Sequence, residues 1–183
     1  GYERSHAPEQ QFGAERALLG LVVALFHDSG YIRQSDDHQH RNGAEFTLTH
    51  VGRSAQFLAR YLPTIGLAAW VPVATQIVHF TGYELRFDQI RLDEPRDRKV
   101  GHLLGTADMM AQMADRCYLE KCRDRLYPEF VLGGVAVFRQ ENSLKVTYGS
   151  GLDVLRQTPG FVAETMRTRL DGEFGGAYRY FEI

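Results

Sequence analysis

Long apolar runs are missing from this chain of 183 residues. The longest, Ala17–Phe26, is interrupted by Gly20 and falls well short of the roughly 20 residues a membrane-crossing helix needs. No cationic stretch followed by an apolar one marks a signal peptide. Cysteine is scarce: Cys117 and Cys122 are the two present. Their spacing matches no usual zinc pair and suits a disulfide poorly, so a reducing, cytoplasmic setting is expected. Charge of one sign is also lacking. Twenty-one Lys and Arg meet 23 Asp and Glu, for a formal net charge of -2, which offers no bulk attraction to a nucleic-acid polymer or an anionic membrane. There is no initiating Met, no internal repeat and no low-complexity tract.

What is present suffices for a core. Hydrophobic residues make up 44% and charged residues 24%, the balance of an ordinary globular protein, and the length fits a single domain over 1–183. A first helix is expected from Ala14 to Phe26 or His27, apolar nearly all round and therefore central and buried. Ser29-Gly30 supplies its stop. Residues 33–43 read as a polar loop, with His38 and His40 in it. A second helix is expected over Glu45–Leu62, ending before Pro63; its stripe Phe46, His50, Ser54, Phe57, Leu58, Tyr61 puts His50 on the buried face. A third should begin near Val71-Pro72 and reach about Phe80. Residues 85–98 are charged and broken by Pro95. A long fourth helix is expected from Lys99 to Tyr127, stopped by Pro128. Residues 144–148 are the best short strand, and Phe161–Phe174 has the period of a final amphipathic helix. The expectation is a mostly helical, all-α fold, with residues 14–127 as its core and 128–183 packing on the same domain. Phe161, Met166 and Leu170 should face inward. Trp70 and the aromatics of 178–181 suit either the core or a homo-oligomer interface.

Five polar residues stand out on these apolar segments: His27, Asp28, His50, His79 and Asp108. The gaps are 22 residues from Asp28 to His50, then 29 to His79, then 29 to Asp108. Each lies on a different expected helix or at its end. A buried charge is costly unless paired or bound to a metal. Imidazole and carboxylate together suit a transition-metal cation, and packed helices can aim such side chains at one cavity. Gln112 and Asp115 follow Asp108 on the same helical face and are candidates for substrate contact. The charged loop carrying Arg91, Arg96, Arg98 and Lys99 reads as solvated.

The adjacent pair in Ala24-Leu25-Phe26-His27-Asp28-Ser29-Gly30-Tyr31, joined to the late Asp108 in Leu104-Gly105-Thr106-Ala107-Asp108, resembles the HD-domain superfamily. The resemblance spans about residues 14–127. It implies a helical bundle around a central metal site, with His27, Asp28 and Asp108 as ligands. His50 resembles the middle His of two-metal members, and His79 matches a second middle His. The family's first His has no counterpart at the expected distance and is expected upstream of residue 1; His6 lies too close to the pair. Where the cyclic-di-GMP branch carries Gly-Tyr-Pro, this chain has Gly82-Tyr83-Glu84.

The resemblance implies one or two divalent cations per chain (Mn, Mg, Ni, Zn or Fe) and a phosphohydrolase, a phosphodiesterase or nucleotidase acting on a small nucleotide-like substrate. Metal-activated water would be the nucleophile, with Asp28 and His50 in catalytic roles. Two alternatives stand beside it: an HD-type diiron oxygenase, and a ligand-binding or regulatory module whose site has degraded.

Overall fold

The computed structural model describes residues 1–141 and 143–181. The described chain is mostly helical, with one two-stranded sheet. A short helix α1 (Tyr2–Ser5) leads to α2 (Gly13–Phe26), α3 (His50–Thr64), α4 (Val71–Ile77) and α5 (Pro95–Met113). Three shorter elements follow: α6 (Tyr118–Lys121), a π-helical turn at Cys122–Leu126, and α7 (Tyr127–Leu132). The hairpin pairs β1 (Val137–Gln140) with β2 (Ser143–Val146), antiparallel, in the register Val137 to Val146. Helix α8 (Gly151–Thr165) then runs into π-helical turns over Met166–Glu173. No described helix is long and apolar enough to cross a membrane.

The core is built on α3. Its buried positions Val51, Ser54, Ala55, Leu58 and Leu62 recur by three and four, so one stripe faces inward. Ala74 and Ile77 of α4, Val78 and Phe80 of the following 3-10 turn, and Val100 and Leu104 of α5 complete the interior. Two glycines on α5 let the aromatic layer approach. A Cβ at Gly101 would stand 2.4 Å from the Phe80 ring, and one at Gly105 would stand 2.5 Å from both Phe174 and the Phe80 carbonyl. Leu170, Phe174 and Ala177 are buried in this same core, so the C-terminal segment packs on the helices that precede it. Phe161 does not join them; it is partly exposed and lines a cavity.

Five expectations need correction. Helix α2 is not buried all round: Leu19 and Val23 face the core, while Leu18, Leu21 and Leu25 are 52%, 64% and 79% exposed. Apolar composition reports what a helix can bury, not whether a neighbour covers each side. The single helix over Glu45–Leu62 is divided. Residues Gly43–Phe46 form a 3-10 turn capped by Asn42 and Glu45. Thr47 and Thr49 hydroxyls then bond back to the carbonyls of Ala44 and Phe46, competing with helical bonding, and α3 starts at His50. It ends one residue past Pro63, where a missing N–H costs a single bond in the last turn. The long helix over Lys99–Tyr127 starts earlier, at Pro95, and stops at Met113. The Asp115 carboxylate takes the Cys117 N–H at 2.8 Å, as a turn-forming Asp does, and Pro128 sits at the start of α7 rather than at a stop. The last helix begins at Gly151, capped by Ser150, ten residues before the expected Phe161. The expected strand, 144–148, starts one residue after β2 does and ends two residues beyond it.

His102 of α5 is packed beside Phe80 and Phe174, ring centroids 5.4 and 5.8 Å away. Burial pushes its pKa down to about 4, with Lys99 and Arg98 adding to the shift. Unfolded, it titrates near 6.5, so between those values the unfolded chain binds more protons. The neutral imidazole therefore contributes stability fully above pH 6.5, and that stability is lost as pH falls towards 4. Urea midpoints measured from pH 7 to 4.5 should fall more steeply in the native chain than in His102→Gln; equal slopes would contradict the assignment.

Candidate metal centre and its cavity

Helix α2 delivers His27 and Asp28 at its end. His27 caps the helix in helical conformation, and its Nδ1–H donates to the Ala24 carbonyl at 2.8 Å. A carbonyl only accepts, so this bond fixes the tautomer and leaves Nε2 free. That atom faces two carboxylates, Asp28 Oδ2 at 3.3 Å and Asp108 Oδ1 at 3.4 Å. His50, the first residue of α3, repeats the device. Its Nδ1–H donates to the Thr47 carbonyl at 2.8 Å, and Nε2 stands 3.8 Å from Asp28 Oδ1. The Asp28 carboxylate therefore lies between two imidazoles, one oxygen toward each.

Such anchoring of the distal ring nitrogen is how metal-binding histidines are oriented. Donor atoms each about 2.1 Å from one cation stand roughly 3.0–3.4 Å apart, which the His27 pairs approximate. The donor chemistry thus fits a divalent cation. The approach is pairwise only: among the described residues, no group of three or more His, Cys, Asp or Glu side chains is arranged to hold a metal ion. Electrostatics point the same way as the donors. Asp108 beside it, helped by Ala24 and Asp28, raises the His27 pKa to about 9 against the opposing effect of burial. The carboxylates that favour imidazolium at this position equally favour a bound cation.

The turn after Asp28 is fastened to α3. Gly30 N–H donates to Ser54 Oγ at 2.8 Å, and that hydroxyl donates to the His50 carbonyl at 2.8 Å. Arg53 Nε donates to the Gly30 carbonyl at 2.7 Å. A Cβ at Gly30 would lie 1.8 Å from the His50 carbonyl oxygen, so only glycine permits the contact. The start of α3 is held from the other side by Glu84, whose two oxygens accept the N–H groups of Val51 and Gly52, each at 2.7 Å. A carboxylate there also complements the helix dipole. Tyr31 stacks on the His50 ring at 4.2 Å, and its hydroxyl donates to Glu129 of α7 at 3.2 Å. Burial, with Glu129 adjacent, pushes the Tyr31 pKa upward.

The site opens into a cavity of about 810 Å³. Asp28, His50, Asp108 and Gln112 are among its polar lining, while Leu48, Met109, Tyr118, Phe130, Val154 and Phe161 contribute apolar and aromatic wall. The other expected site residues lie elsewhere. Asp115 is outside the lining and is taken up by Cys117 N–H and the Lys121 ammonium. His79 is also outside it; its Nδ1 is buried with no hydrogen-bond partner among the described residues, and burial lowers its pKa against the opposing charge of Glu84. His6 bonds to the Tyr2 carbonyl, and His40 pairs with Asp37. Sequence reasoning overlooked Glu84, Ser54 and Glu129. Ser54 did carry a signal, as a polar residue four positions after His50 in an otherwise apolar stripe.

No known protein family, curated protein or solved structure matches the chain.

Gly30→Ala should separate the turn from α3. An overpacked contact of this kind costs about 1–3 kcal/mol, to be read as a lower urea midpoint, and the displaced Asp28 should weaken cation binding as well. An unchanged midpoint would contradict the contact.

Proposed function

We propose that the chain is a metal-dependent phosphohydrolase built on an HD-like helical bundle, a phosphodiesterase or nucleotidase acting on a small nucleotide-like substrate. The observation that carries this reading is the Asp28 carboxylate set between two imidazoles, each with its far nitrogen anchored to a backbone carbonyl. His27, Asp28, His50 and Asp108 would hold a divalent cation; His79 lies apart from them. Bound there, a cation supplies water of lowered pKa and neutralises charge on phosphoryl oxygens.

The chain's own residues do the remainder. Asp28 lines the cavity with its side chain 59% exposed, so its carboxylate can meet substrate as well as the two rings. The Nδ1–H bonds of His27 and His50 prevent the rings from turning away. Gln112, one helical turn beyond Asp108, offers amide N–H groups to substrate oxygens from the same face. The aromatic wall suits the flat face of a nucleobase, and the volume lies within the roughly 300–1,000 Å³ of small-molecule pockets.

Asp28→Ala tests the proposal directly. With Mn²⁺ and the generic diester bis(p-nitrophenyl) phosphate, turnover should fall beyond the roughly 10–100-fold typical of outer-shell changes, while the far-ultraviolet circular dichroism stays helical. Full activity in this variant would refute the proposal.

A further inference from the structure

A second pocket, of about 490 Å³, adjoins the cavity but holds none of the proposed metal ligands. Arg169 lines it; this residue lies in the π-helical turns after α8 and is 4% exposed. A guanidinium has five N–H groups and no acceptor. Here Nη2 alone is satisfied, donating to the carbonyls of Phe80 at 3.2 Å and Gly82 at 2.9 Å. Nε and Nη1 are buried without a hydrogen-bond partner among the described residues. Cation–π contact supplies part of the deficit, since Cζ lies 4.1 Å from the Tyr83 ring centre and 5.3 and 5.4 Å from those of Phe87 and Phe174. A buried cation left with open N–H groups remains costly.

The charges around the pocket do not close this deficit. Arg86 and Asp88 also line it, but they pair with each other through two bonds, at 3.2 and 2.9 Å. Glu173, one turn beyond Arg169, brings Oε2 to 3.6 Å from Nε, beyond hydrogen-bond length. Its side chain is 40% exposed, so it can leave at small cost. The guanidinium therefore faces a pocket whose rim carries one loosely held carboxylate.

We propose that this pocket binds a small oxyanion, a carboxylate or phosphate group, at the open nitrogens of Arg169 in place of Glu173. Arginine is suited to both through charge-assisted hydrogen bonds, and the rings of Tyr83 and Phe87 would flank the bound group. The site is separate from the metal centre, although Gly82 and Tyr83 border both cavities.

The test uses the full chain, stripped of metal and carrying Asp28→Ala so that the metal centre offers no phosphate site. Inorganic phosphate and acetate are titrated separately by calorimetry. Saturable binding of at least one anion is expected, tightened threefold or more by Glu173→Gln and abolished by Arg169→Gln. The tighter of the two anions identifies the ligand class. Should Arg169→Gln fail to fold, the Arg169 Nε–Hε resonance in the folded chain gives the same answer by moving on titration. A purely structural Arg169 predicts no saturable binding in Glu173→Gln and an unmoved resonance; either result overturns the proposal.

Discussion

The approach of Gly30 to the first turn of α3 is the contact on which the candidate site depends. It brings the end of α2, with His27 and Asp28, against the helix that begins with His50. No side chain fits between the two backbones: a Cβ would collide with the His50 carbonyl at 1.8 Å. The bonds from Gly30 to Ser54 and from Arg53 to Gly30 hold the contact closed. Glu84 fixes the same helix end through two N–H groups. Two chain segments more than twenty residues apart thus meet with little freedom to slide.

That rigidity gives the carboxylate its place. Asp28 is largely exposed, yet its oxygens are confined between two imidazoles that cannot turn, because each ring spends Nδ1 on a carbonyl three residues earlier. The arrangement costs the fold little, since both carbonyls lie at helix margins where partners are otherwise short. It leaves two nitrogens and several oxygens turned toward one another, an arrangement that is repulsive unless a proton or a cation sits among them. The raised pKa of His27 is the protonic form of that demand.

Much of this was legible in the sequence because it rests on local signals. The His27-Asp28 pair at a helix stop, His50 on an apolar stripe and Asp108 amid small and apolar residues all follow from period and contrast. The mostly helical fold follows from the same patterns. What stayed hidden depends on contacts distant in sequence. Glu84 reads as a loop carboxylate until it is seen capping α3 from 32 and 33 residues away. Glu129 lies 98 residues from Tyr31. The break after Met113 depends on where one Asp115 carboxylate is used, and periodicity cannot report that. The exposed face of α2 is the converse case, in which apolar pattern exceeds what the neighbouring helices cover.

Whether Asp28 and its flanking imidazoles bind a cation is decided by metal content per chain, read by element-resolved mass spectrometry on protein purified without chelators or a histidine tag. One or two equivalents of Mn, Ni, Zn or Fe are expected in the native chain, or saturable uptake of Mn²⁺ on addition, with loss of that metal in Asp28→Ala. A native chain that neither retains nor takes up a divalent cation would contradict such binding.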